Sequence, residues 1–336
     1  MSLTAQLSAY LGRIWGKPVA IEKMARIPGG ASRETYRFEA VSGEERRPLI
    51  LRRDPPGSLI ETDRRIEFEA IRSFHDIGIP APNPVALEED GAELERPFFI
   101  MTKIDGGAAS SPFAPAPYAG HEQEIAEQFF GIMGRIAGAD TSKMPIGQVA
   151  ESVALDQAWK RELDYWAGVI DDDEQHPQPI VRAAIRRLYA NPPPPAQKLS
   201  LVHGDYRSGN FLQDGKGKII AILDWEMAHL GDPLEDFGWG TDPLWNHGDP
   251  TRVSGMVKRE EAIAIWEKAS GLKIDPVAMR WWDLFASVKG QAIWISSAKE
   301  YADGGFKEPI LGFSGWITAR RHDEIIANRL LAWEGL

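Results

Sequence analysis

Between Leu201 and Glu226 the chain reads LVHGDYRSGNFLQDGKGKIIAILDWE, and its polar residues fall in a pattern suited to metal-assisted proton chemistry. His203, Asp205 and Asn210 form one set and Asp224 another, each beside an apolar run. Two carboxylates and a carboxamide are the donor set of a hard, oxygen-seeking cation such as Mg²⁺, with one carboxylate left as a proton acceptor. The elements that must position them lie alongside. Leu199 to His203 is an apolar lead-in, and Phe211 and Leu212 follow the polar loop. Asp214-Gly215 with Gly217 makes a tight turn, and Ile219 to Leu223 is a β-branched apolar run. The spacing predicts one short hairpin that carries both polar sets. Asp and Asn also favour turns for local hydrogen-bonding reasons, but all four residues in this order between apolar strands favour a site.

His203-Gly204-Asp205 followed by Asn210 has the form H-x-D-x-x-x-x-N, the catalytic-loop pattern of protein kinases, with Gly204 where Arg is usual. Asp224 falls where the metal-binding Asp of the D-F-G triplet would sit, although the triplet here reads Asp224-Trp225-Glu226. HGDYRSGNFL…ILDWEMAHLGDPLEDFGW closely resembles the aminoglycoside phosphotransferase family of the protein-kinase-like superfamily, and most of all the subgroup also found fused to acyl-CoA dehydrogenases. The resemblance is strong from Pro97 to Trp239 and weak beyond Thr241.

The resemblance implies a kinase-like α+β fold of two lobes: residues 1–103, with an antiparallel sheet and one main helix, bind nucleotide, and residues 104–336, mostly helical, hold the catalytic and substrate groups. It implies ATP with Mg²⁺ in the cleft and transfer of a phosphoryl group to a hydroxyl of a small molecule. Asp205 becomes the base that orients and deprotonates the hydroxyl, Asn210 and Asp224 the metal ligands, and His203 a support for the loop. Arg207, two residues after the base, is placed to face the phosphates or an anionic part of the acceptor. Gly29, Gly30 and Ser32 fall in the nucleotide-covering loop, where glycine lets the backbone approach phosphate oxygens. The strand Pro48 to Arg53 ends in Arg52 where the family has Lys; Arg is a planar fork and Lys a point charge, so the two are not equivalent. Glu67, in the helical pattern Asp63 to Phe74, is assigned as its partner. Pro97 to Gly107 matches the last strand of the small lobe and the hinge, with Met101 and Lys103 at the nucleotide. Asp232 and Asp236, in GDPLEDFGW, are expected to brace the loop and cap a helix.

Helical rhythm marks residues 3–15, 121–137, 153–170, 180–190, 259–270, 276–298 and 313–333. Tryptophans crowd the last third of the chain and are expected mainly in the core. A net charge of −11 argues against nucleic acid, whose phosphates require a basic footprint. The absence of cysteine excludes disulfides, thiolate metal sites and a cysteine nucleophile. No run approaches the roughly 18 apolar residues of a membrane span, and the amphipathic opening stretch lacks the core of a signal peptide; a cytoplasmic location is the expectation. The residues leave oligomeric state open. Two rival readings stand beside the kinase: a pseudokinase-like protein that binds nucleotide without transfer, favoured by Arg52, and a metal-dependent hydrolase, opposed by the scatter of the histidines.

Overall fold

Ser2 caps the first helix, α1 (Leu3–Trp15), its hydroxyl accepting from the Ala5 amide at 3.3 Å, and Gly16 ends it in the left-handed region. The computed structural model describes residues 1–27, 34–54, 63–111, 114, 116–304 and 308–335. Gly29, Gly30 and Ser32 therefore lie outside the described residues. After α1 come β1 (Ala20–Ile27), β2 (Glu34–Ser42) and β3 (Glu45–Arg53), then α2 (Arg64–Asp76), β4 (Pro84–Glu88) and β5 (Phe98–Thr102). The five strands form one antiparallel sheet in the order β1-β2-β3-β5-β4. Side chains alternate across a strand, and that alternation divides the two faces. Leu49 and Leu51 of β3 with Phe98 and Ile100 of β5 pack under α1 against Leu7 and Leu11. Ile50, Phe99 and Met101 face the other way and join α2, so Arg52 also points to that side.

Asp63 starts α2 by accepting from the Arg65 and Ile66 amides. Its apolar stripe, Phe68, Ile71 and Phe74, belongs to one core that continues into the helical part of the molecule. Phe74 stacks on Trp225 at 5.5 Å, and the Ile222 amide donates to the Pro80 carbonyl at 2.6 Å.

The rest of the chain runs β6 (Ala108–Ala109), α3 (Glu122–Gly138), α4 (Ile146–Val149), α5 (Ala158–Asp173), α6 (Pro179–Ala190), β7 (Ser200–Val202), β8 (Phe211–Gln213), β9 (Ile219–Ile222), β10 (His229–Gly231), α7 (Leu234–Gly240), α8 (Arg259–Ser270), α9 (Pro276–Asp303), α10 (Pro309–Phe313) and α11 (Ala319–Glu334). The long, buried α9 is the axis on which α5, α6, α7 and α11 pack. Among the described residues, no helix is long and apolar enough to cross a membrane.

The expected hairpin forms, β8 pairing with β9 and along its other edge with β6, while the apolar lead-in, β7, pairs with β10. The loop between β7 and β8 therefore bridges two separate sheets, turning out at Gly204 (φ 84°) and back at Gly209 (φ 108°). The helix expected from residue 153 begins at Ala158, after a turn in which the Ala154 carbonyl accepts from Gln157 and Ala158. The helix expected over 313–333 contains a wider π turn at Ser314–Thr318, where Gly315 lies too close to Ala298 for any side chain.

Candidate active site

His203 is fully buried, and both its ring nitrogens are committed. Nε2 lies 2.9 Å from the Leu223 carbonyl and must donate, and Nδ1 accepts from the Asp205 amide at 3.2 Å. Burial pushes its pKa down to about 4, so the ring is neutral and works as a spacer between β9 and the loop. Asp236, on α7, accepts from the His203 amide at 2.7 Å and the Gly204 amide at 3.0 Å. Asp232 accepts from the Leu234 amide at 2.9 Å and from the Trp282 indole at 3.1 Å. One Asp thus braces the loop and the other the start of α7. Burial raises both, to about 6.

The loop so braced presents Asp205 to three donors. Oδ1 accepts from the Trp239 indole at 2.7 Å and from Arg207 Nε at 3.0 Å, and Oδ2 accepts from Asn210 Nδ2 at 2.5 Å. Charge-assisted bonds of this kind fix a carboxylate's direction as well as its charge. Arg207 also lies over the Trp245 ring, 4.8 Å from its centroid, and lines the cleft beside Asp205. Asn210 gives its amide nitrogen to Asp205, which leaves Oδ1 as its metal-type donor atom.

Asp224 follows β9 with φ 67° and ψ 55°, in the left-handed region, which Asp tolerates better than most side chains. Its partner is Arg52. One Arg52 nitrogen lies 2.9 Å from Glu67 and 3.1 Å from Asp224, and the other 2.8 Å from Glu226. Burial opposes charge on this guanidinium, but the three carboxylates outweigh it and hold it protonated. Met101 on β5 and Lys103 just after it line the same cleft, and Lys103 pairs with Asp105.

The cleft between the sheet and the helices has a volume of about 750 Å³. Asp205, Asn210, Asp224, Arg52, Met101 and Lys103 all line it, whereas His203 is behind it. Its helical wall is mainly apolar and aromatic, with Trp166 and Val169 of α5, Ile293 and Trp294 of α9 and Leu311 of α10, and also carries Tyr165, Ser296 and Ser297. Among the described lining residues the carboxylates are Asp205, Asp224 and Glu226, all at the polar end.

Two residues of this site were not singled out from the sequence. Trp239 reads as core because a buried indole in an apolar helix carries no local sign of its N–H partner. Glu226 had a sign: it puts a carboxylate two residues after Asp224, where the kinase triplet has glycine.

The sequence profile of the phosphotransferase enzyme family matches residues 23–272. Human acyl-CoA dehydrogenase family member 11 is 24% identical over 283 residues, covering 81% of this chain and 35% of that protein. The chain thus spans about a third of the length of the curated relatives it matches first. A candidate aminoglycoside phosphotransferase of Ralstonia eutropha superposes with a TM-score of 0.76 at 20% identity, covering 97% of both chains. Aminoglycoside phosphotransferase APH(4)-Ia, solved with ADP and hygromycin B, superposes with a TM-score of 0.59 at 19% identity, covering 96% of this chain and 98% of that one. The fold is the two-part α+β fold of kinase-like phosphotransferases, and the chain belongs to the phosphotransferase enzyme family.

Proposed function

We propose that the protein transfers the γ-phosphoryl group of ATP to a hydroxyl of a small molecule, with residues 1–103 as the nucleotide lobe and 104–336 as the catalytic lobe. The observation that carries this reading is the meeting of Asp205, Asn210 and Asp224 in one cleft, with Asp205 held by three donors. The donor set fits Mg²⁺: Asn210 keeps an amide oxygen free of its bond to Asp205, and Asp224 turns a partly exposed carboxylate to the cleft. Bound there, ATP with Mg²⁺ supplies the phosphoryl group and offsets charge on the phosphates. Asp205 holds the acceptor hydroxyl and takes its proton, while Trp239, Arg207 and Asn210 keep its carboxylate aimed. Arg52 lies at the phosphate side, Met101 and Lys103 at the nucleotide.

The wall opposite favours an acceptor with an apolar body, such as a hydroxyacyl compound, over a polycationic sugar. Trp166, Ile293, Trp294 and Leu311 offer apolar area, and the carboxylates at the far end are engaged with Arg52 or Asp205's own donors. The solved relatives differ in what they carry: APH(4)-Ia was solved with hygromycin B, and another neighbour is a choline kinase of Streptococcus pneumoniae.

A second reading, nucleotide binding without transfer, is favoured by the Arg52–Asp224 pair, which sets a cation against the metal ligand. Thermal unfolding with ATP and ADP, with and without Mg²⁺, tests binding; a ligand at a hundredfold excess over Kd adds about 2.7 kcal/mol. Asp205→Asn then separates the readings. Transfer to a hydroxylated acceptor should fall about 10²- to 10⁴-fold with nucleotide affinity kept. Unchanged turnover in that variant removes Asp205 as the base, and no shift with any nucleotide removes the kinase reading.

A further inference from the structure

Beneath the loops that carry Asp205 and Asp224 lies a buried ionic cluster drawn from four elements: Glu162 of α5, His229 of β10, Glu235 of α7 and Lys289 of α9. His229 Nε2 is 3.1 Å from Glu235 and 3.4 Å from Glu162, and its Nδ1 is 3.0 Å from the Met227 carbonyl. Both ring nitrogens face oxygen acceptors, so both must donate and the ring is a cation. Burial alone would lower its pKa; Glu162 and Glu235 outweigh burial and lift it to about 9. Lys289 is 1% exposed, and its ammonium donates to Glu235 at 2.7 Å and to the Gly204 carbonyl at 2.5 Å.

The Glu162–His229–Glu235 trio has the spacing of a metal site. Lys289, a doubly protonated His229 and Arg161, whose guanidinium meets Glu162 at 2.9 Å, already outnumber its two carboxylates, so the cluster needs no metal. What Lys289 and His229 do with their remaining protons is specific. Lys289 grips the carbonyl before Asp205, and His229 grips the carbonyl of Met227, three residues after Asp224. Those two stretches of backbone abut: a Cβ on Gly204 would collide with the Met227 carbonyl oxygen.

We propose that Lys289 and His229 are positioning residues for phosphoryl transfer, seated on Glu162 and Glu235 and clamping the Asp205 loop against the Asp224 loop by their carbonyls. The inference rests on Asp205 and Asp224 being the base and the metal ligand. It assigns a role in the reaction to a lysine and a histidine that do not reach the reacting atoms.

The test uses the full chain with Lys289→Met, and also Lys289→Met combined with Glu235→Gln, which removes both charges and so avoids leaving a carboxylate buried alone. Three quantities are read: the rate of Mg²⁺-dependent ATP consumption, the Kd for ATP with Mg²⁺, and the indole N–H resonance of Trp239, assigned by its loss in Trp239→Phe. Displacement of the base by about 1 Å costs about 100-fold in turnover, so the expected result is a loss of that order, a Kd held within about threefold and a shifted Trp239 resonance. Turnover and resonance equal to those of the parent overturn the inference. So does a parallel loss of nucleotide affinity, which would make the cluster general support for the lobe. If the parent itself consumes no ATP, the phosphotransferase reading falls, and the Trp239 resonance still decides whether the clamp sets the position of Asp205.

Discussion

Replacing Arg52 with Met leaves Glu67, Asp224 and Glu226 around a neutral side chain. In the parent the guanidinium, 11% exposed, meets all three within 3.1 Å. Removing one partner of a buried ionic group costs about 3–5 kcal/mol, because the opposite charge stays buried without compensation. Unfolding entropy is about 2.1 cal/mol/K per residue, so 336 residues give about 0.7 kcal/mol/K. The melting temperature should therefore fall by about 4–7 °C. Added Mg²⁺ should recover part of the loss in Arg52→Met and raise the parent less, since the parent's carboxylates already have a cation. Differential scanning calorimetry at several Mg²⁺ concentrations reads both effects. An unchanged melting temperature in Arg52→Met, or equal Mg²⁺ responses in both proteins, refutes the view that Arg52 and the metal compete for one cluster.

Other outcomes follow from the same geometry. Trp239→Phe keeps an aromatic ring, though a smaller one, and removes one of three donors to Asp205; a hydrogen bond to a charged group contributes about 1.5–3 kcal/mol, so turnover should fall about 10- to 100-fold with little change in nucleotide Kd. Equal turnover would show that the indole is only packing. The pKa of His229 is raised in the folded state, so its contribution to stability is complete below pH 6.5 and is lost as pH rises through about 9. That contribution is at most about 3.5 kcal/mol, since the rise from 6.5 to about 9 is worth about 1.4 kcal/mol for each pH unit it spans. Urea midpoints measured from pH 6 to pH 10 should fall more steeply for the parent than for His229→Gln, and parallel curves would contradict the imidazolium held between Glu162 and Glu235.

The placement of the candidate site residues was legible where it is local. The run from His203 to Asp224 carries its own spacing, and the stripe on α2 announced a helix whose inner face also holds Glu67. Legibility failed where a contact spans the chain. Lys289 reads as a stray charge in an apolar helix, and only folding brings it to Gly204, 85 residues away. Trp239 has the sequence signature of core and the geometry of a donor to Asp205. The pairing of β7 is of the same kind: nothing in the strand itself points to β10.

The stacking of Phe74 on Trp225 has a mechanical consequence. Trp225 stands between Asp224 and Glu226, so α2 is bolted to the loop that carries two of Arg52's partners. A kinase whose main small-lobe helix rests on the sheet alone can be switched by swinging that helix outward, which parts the cation from its glutamate. Here such a swing would have to tear an aromatic pair and the core behind it. Any displacement of α2 is therefore coupled to the loop that carries Asp224 and Glu226.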